Sequence, residues 1–251
     1  MKAYLYDGTF EGLLSTLYQA LRDQDTTLLI EAEADYQPDL FTQAQVLPTD
    51  HQLSDRLYHL ICQEMSAMTL RHIYRVFLSE TPDAGTKLLP FLLKGFQIGP
   101  GINGLMSDPI VHPVLSLSRQ VARESHRLLG LLRFQELEGG LYYAPFEPDF
   151  HQIPLVAPHF VRRLASQPWI IHDVKRELAA CWDTRNWVIQ DLPAGETPVY
   201  SQEEETMQEL WRSYFRHIAI RQRANPRVQR SFMPKKYWQH LVEEPGMQTK
   251  K

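Results

Sequence analysis

Apolar positions alternate with polar ones in two distinct periods along this chain. Leu53, Leu57, Leu60, Ile61, Met65, Met68 and Ile73 recur near the helical period. The spacing predicts a helix from a capping box at Thr49-Asp50-His51-Gln52 to about Ser79, ahead of Pro82. A second helical hairpin follows, interrupted by Gly95–Gly101, and residues 109–131 are again helical by period. Near the C-terminus, Ser201-Gln202-Glu203-Glu204 forms another capping box, with Glu203, Glu204 and Glu205 at the positive end of the helix dipole. Met207, Leu210, Trp211, Tyr214, Phe215 and Ile218 make one apolar stripe, predicted to be the buried face that anchors this helix. Asn225 caps a short turn beginning with Pro226, and Pro234 opens another.

Strand patterns occupy the rest. Residues 2–6 and 26–34 predict strands around a helix over roughly 10–22, capped by Thr9 after the Asp7-Gly8 turn. Residues 131–148 predict a β-hairpin turning at Gly139-Gly140. A short helix at 157–166 and strands at 168–174 and 186–192 follow. The pattern therefore predicts an α+β fold, mostly helical, with a small sheet built from N-terminal and central strands. It is taken as a single domain over 1–251 with a basic C-terminal segment at 201–245.

Composition adds two exclusions. No run of about 18 apolar residues is present, so no membrane-spanning helix is expected, and the first residues lack a signal-peptide core. Two cysteines, Cys62 and Cys181, supply neither a disulfide framework nor a CxxC metal pair, and the expected compartment is the reducing cytoplasm.

Charge changes the picture more. The net charge is -4, yet residues 210–242 contain no Asp or Glu. That window holds Arg212, Arg216, Arg221, Arg223, Arg227, Arg230, Lys235 and Lys236, while the rest of the chain has 18 basic and 30 acidic residues. Such a block suits an anionic partner. It is also what a solvated basic face answering an acidic one would look like. Arg119, Arg123 and Arg127 form a second basic row at helical spacing. Phe232, Tyr237 and Trp238 stand among the C-terminal charges, where aromatic rings stack on unpaired bases or anchor the tail in a core.

Candidate catalytic groups are sparse. Asp108 with His112, Asp149 with His151, and His172 with Asp173 pair an imidazole with a carboxylate. His172 and Asp173, ending an apolar strand, are the foremost of these; Asp7 and Glu11 beside the first helix are further candidates. No HExxH, paired-Asp or Cys-cluster motif is present, so no metal or other cofactor is expected. The glycine-rich stretch 95–104 lacks the Lys-Ser/Thr of a P-loop and fits a helix–helix connection.

Three segments carry a resemblance: YDGTFEGLL (6–14), LLRFQELEGGLYYAPFEPDF with LVAPHFVRRLASQPWIIHDVKR (131–150 and 155–176), and IAIRQRANPRVQRSFMPKKYW (218–238). Together they resemble a bacterial family described as proteins of DNA metabolism or DNA repair, a domain of unknown function. Its genes commonly neighbour one for a radical-SAM DNA modification or repair protein, and a similar domain occurs fused to a uracil-DNA-glycosylase-like domain. The resemblance implies DNA and one of these enzymes as partners, and brings no active-site residues with it. Two cysteines 119 positions apart cannot supply the three thiolates of a radical-SAM cluster, and no GxDPY glycosylase motif is present.

The expectation is thus a DNA-binding accessory protein of a repair or modification system. Its binding residues would be Arg212, Arg216, Arg223, Arg227, Arg230, Lys235, Lys236, Tyr237 and Trp238, joined by Arg119, Arg123 and Arg127. The alternatives are a DNA-acting enzyme with a His172/Asp173 cleft, or a protein-interaction module docking on an acidic partner.

Overall fold

The structure is a computed structural model that describes residues 2–23, 27–193, 195, 199–218 and 225–243. The chain divides into two compact units, Met1–Ala122 and Arg123–Lys251.

In the first unit, β1 (Lys2–Tyr6) lies between β2 (Leu29–Ala32) and β3 (Gln43–Val46), and both pairings are parallel. Parallel neighbours need a crossover, and α1 (Phe10–Asp23) supplies the one between β1 and β2. Thr9 Oγ1 accepts from the Gly12 amide at 2.9 Å, capping α1 as its sequence predicts. The helix predicted from the Thr49–Gln52 capping box to about Ser79 is two helices, α2 (His51–Leu60) and α3 (Ala67–Phe77), separated by a π turn at Ile61–Met65. Ser66 ends the first run and caps the second, its hydroxyl accepting from the Thr69 amide at 3.0 Å. Asp50, rather than Thr49, caps α2, because its carboxylate reaches the amides of Gln52 and Leu53. After α4 (Ala84–Ile98) comes a 3-10 turn at Gly99–Gly104, and then α5 (Val111–Leu131), whose residues fall to the first unit as far as Ala122. Leu13, Leu17, Ile30, Leu57, Ile73 and Phe91 are central to the core of this unit.

The second unit is built on a five-stranded sheet in the order β4 (Gln135–Glu136), β5 (Tyr142–Phe146), β6 (Trp169–Asp173), β7 (Leu178–Trp182), β8 (Trp187–Asp191). The β4–β5 hairpin turns at Gly139 and Gly140, where φ of 90° and 79° favours residues without a Cβ. β5 and β6 are parallel and joined through α6 (Ile153–Arg163); the later pairings are antiparallel. Trp169 is fully buried, stacked 6.5 Å from Trp182 and met edge-on by Phe134. Leu128, Phe146 and Phe160 complete this core. The architecture is α+β, with helix predominating and strands from both the N-terminal and central regions. No helix among the described residues is long and apolar enough to cross a membrane.

Candidate nucleic-acid interface

The C-terminal elements α7 (Gln202–Ile218) and α8 (Pro226–Phe232) belong to the second unit. Ser201 caps α7, its Oγ accepting from the Glu204 amide at 3.1 Å. The second half of the predicted capping box is diverted. The buried Glu204 carboxylate accepts from the Glu136 amide and from Gln208 Nε2, both at 2.9 Å, while the Ser201 amide pairs with the Glu136 carbonyl. These bonds tie the start of α7 to β4. Further along, Arg212 Nε donates to the Val242 carbonyl at 3.0 Å and Trp211 Nε1 to Glu243 at 3.1 Å. Arg133 grips the same Glu243 with two nitrogens, at 2.5 and 3.1 Å, and its guanidinium lies 5.7 Å from the Trp211 ring centre.

Tethered in this way, α7 leaves its apolar stripe in solvent, against the expectation that the stripe anchors it. Trp211 is 41% exposed and Tyr214 56%, with Met207, Leu210, Phe215 and Ile218 exposed as well. Within α7 the buried residue is Glu204. Trp211 and Tyr214 stack with ring centres 5.7 Å apart. Arg216 reaches Glu209 at 2.9 Å in a pair exposed on both sides, a kind of contact worth little and readily exchanged for a phosphate.

The sequence expects Tyr237 and Trp238 to offer stacking faces, and the structure reverses this. They are 3% and 6% exposed. Asn225 caps α8 through the amides of Arg227 and Val228, and Pro234 precedes a 3-10 turn at Lys235–His240 that turns both rings inward. Trp238 Nε1 donates to the Met233 carbonyl at 2.9 Å, and the Tyr237 hydroxyl donates to Glu124 on α5. Glu124 is 4% exposed and also accepts from the amides of Asp149 and Phe150, from Gln152 Nε2 and from Lys236 Nζ, at 2.9 to 3.1 Å. Burial raises its pKa, but the bonds from Tyr237, Asp149, Lys236 and Phe150 outweigh burial and hold the carboxyl below its ordinary value. Burial, and then the same bond, push the Tyr237 phenol far above its own. Lys236 additionally pairs with Asp149. It is therefore a structural cation, not the free phosphate contact its sequence suggests.

The remaining candidates separate. Arg127 Nη2 donates to the Ser231 carbonyl at 3.3 Å, so this arginine closes on the end of α8. Arg123 is exposed on α5. Arg119 belongs to the first unit, where its Nε donates to the Leu115 carbonyl at 3.2 Å. Arg227, Arg230 and Lys235 are exposed, and exposed Phe232 ends α8. Arg223 and Arg221 lie outside the described residues.

His172 is buried with both ring nitrogens engaged, Nδ1 with the Tyr143 hydroxyl at 2.7 Å and Nε2 with the Leu192 carbonyl at 2.9 Å. A carbonyl only accepts, so Nε2 carries the proton and Nδ1 accepts from Tyr143. Burial lowers the imidazole pKa, against the Leu192 carbonyl and the charges of Asp173 and Glu177. Asp173 is fully buried and accepts from Arg176 Nη1 at 2.9 Å. This pair is a locked part of the sheet, with no ring nitrogen left over for a substrate.

In the first unit, Asp7 Oδ1 accepts from the Thr9 amide and hydroxyl and Oδ2 from Thr49 Oγ1 at 2.7 Å. Burial raises its pKa, but the Thr9 and Thr49 bonds prevail and lower it. A Cβ at Gly12 would fall 2.1 Å from Asp7 Oδ1, so glycine there makes room for this node. Glu11 is exposed in the first turn of α1. Among the described residues, no group of three or more His, Cys, Asp or Glu is arranged to hold a metal ion.

Charge density marks the C-terminal segment in the sequence, whereas the buried Glu124 and the outward-facing aromatics of α7 emerge only in the fold. Contacts 112 and 113 residues apart in sequence, from Lys236 and Tyr237 to Glu124, left no local signal.

No curated protein matches the chain. A family model described as "Domain of unknown function (DUF4130)" matches residues 82–243, well over half of the 251 residues and including every strand of the second sheet, α7 and α8. The chain belongs to the DUF4130 family.

Proposed function

We propose that this protein is a nucleic-acid-binding accessory protein of a DNA repair or modification system. One observation carries the reading. The aromatic residues Trp211, Tyr214 and Phe215 are exposed on α7 among Arg212 and Arg216, with Arg227, Arg230 and Lys235 following in the same acid-free stretch. Aromatic faces interleaved with cations suit single strands, because every base offers a π-face and every linkage a phosphate. The roles given at first to Tyr237 and Trp238 pass to the rings of α7. Chemistry would reside in a cytoplasmic partner enzyme, of the radical-SAM or uracil-DNA-glycosylase-like kind that the resemblance implies. The engagement of both His172 nitrogens weighs against an active site there.

A second reading rests on the aliphatic members of the same stripe. Met207, Leu210 and Ile218 are exposed, and an apolar face of this kind beside cations also suits an acidic protein segment.

Salt titration of fluorescent (dT)20 and of a duplex of equal length separates the two. Stacking predicts that Tyr214→Ala with Phe215→Ala weakens (dT)20 by about 1–3 kcal/mol per lost stack and the duplex much less. Unchanged (dT)20 binding by the folded double variant would refute the nucleic-acid reading and leave the protein-docking one.

A further inference from the structure

Between α7 and β4 the second unit holds a pocket of about 340 Å³, lined by Arg133, Phe134, Glu136, Tyr142, Gln208 and Trp211 among others. We propose that this pocket receives one unstacked nucleobase bearing an exocyclic amine, cytosine or adenine in the first place. The proposal rests on the nucleic-acid reading above and adds the site that distinguishes one base from another.

Size and lining suit a planar ring. A pocket of a few hundred Å³ suits a small ligand, and three aromatic side chains wall this one. Phe134 is fixed edge-on by Phe160, 5.0 Å between ring centres, and by Trp169 at 6.1 Å. Trp211 is held by its bond to Glu243 and by Arg133 beside its ring. Walls that are already rigid lose little freedom when a ring enters.

The polar groups favour an amine. Glu204 has both carboxylate oxygens committed, to the Glu136 amide and to Gln208. Glu136 has a weaker commitment, with Ser201 Oγ at 3.5 Å from its Oε2, the outer limit of a hydrogen bond. A carboxylate accepts from cytosine N4, and it would accept equally from adenine N6. Thymine and uracil would present a carbonyl to it instead. The same carboxylates repel phosphate, so the backbone stays outside with the arginines of α7 while the base alone enters.

The test compares fluorescent (dC)10 with (dT)10 on the full chain. Wild type is expected to prefer (dC)10 about tenfold, as one good base contact allows. Glu136→Gln, whose amide donates to a carbonyl as well as accepting from an amine, should abolish that preference, chiefly by strengthening (dT)10 binding. Binding of both oligonucleotides with equal affinity overturns the pocket inference and spares the nucleic-acid reading; binding of neither overturns both. Should Glu136→Gln fail to fold, wild-type protein is titrated with cytidine and with thymidine while the Trp211 indole N–H is followed by NMR. A shift with cytidine alone upholds the proposal. Equal shifts, or none, overturn it.

Discussion

Removing the Glu124 carboxylate should unfasten the C-terminal segment of the second unit. Five donors converge on this nearly buried group: the amides of Asp149 and Phe150, Gln152 Nε2, Lys236 Nζ and the Tyr237 hydroxyl. Hydrogen bonds to a charged group are worth roughly 1.5–3 kcal/mol each, but they are not additive, and burying the carboxylate opposes them. Breaking a buried charged network by deleting one partner costs about 3–5 kcal/mol, and Glu124→Ala should fall in that range. Tyr237→Phe removes one donor and should cost about 1.5–3 kcal/mol. The assay is denaturant unfolding monitored by tryptophan fluorescence. The midpoint should fall with little change in slope, because the surface exposed on unfolding is nearly the same. Acid should act in the same direction. The folded state holds Glu124 below its ordinary value, so its contribution is complete above the unfolded pKa of about 4.3 and is lost as the pH falls through the lower folded value. Glu124→Ala should lack this part of the acid sensitivity. A Glu124→Ala midpoint equivalent to within about 0.5 kcal/mol of wild type, the scale of an ordinary surface substitution, would refute the account of how the tail is held.

Trp211→Ala should cost about 1.5–3 kcal/mol, the worth of its hydrogen bond to the Glu243 carboxylate, below the 3–5 of a buried aromatic, and chemical denaturation measures it. Nitrogen-detected NMR should find His172 neutral with its proton on Nε2; because burial lowers its pKa, the stability it contributes is present above about 6.5 and declines as the pH falls towards the folded value. Replacing Arg227, Arg230 and Lys235 together by Ala should flatten the salt dependence of (dT)20 binding by about 2 log units per log unit, at roughly 0.7 per phosphate contact, whereas Lys236→Ala, already paired with Glu124 and Asp149, should chiefly lower stability.

Local chemistry determined much of this protein. The caps at Thr9, Ser201 and Asn225 are made by the residues whose types predict them, since a cap needs only an oxygen within three residues of an amide. The Gly139-Gly140 hairpin and α5 likewise follow from neighbours in sequence. The interruption at 61–66 did not, because an unbroken apolar period hides the Ser66 cap until the chain's path is known. Two strands carry no sufficient local signal: β3 (QAQV) is four residues long and exposed along its whole length at an edge, and β7 (LAACW) becomes a strand between β6 and β8. The site shows the division most clearly. A stripe of apolar residues along α7 establishes that the helix has a face; it cannot establish what, if anything, covers that face. Tyr237 and Trp238 sit among cations in sequence, and only the fold brings Glu124, more than a hundred residues earlier, to turn one of them inward. His172 beside Asp173 looked like acid–base chemistry until Tyr143 and the Leu192 carbonyl took both nitrogens. Residue type determines which bonds a group is able to make, and pairing across long loops decides which of them it does make.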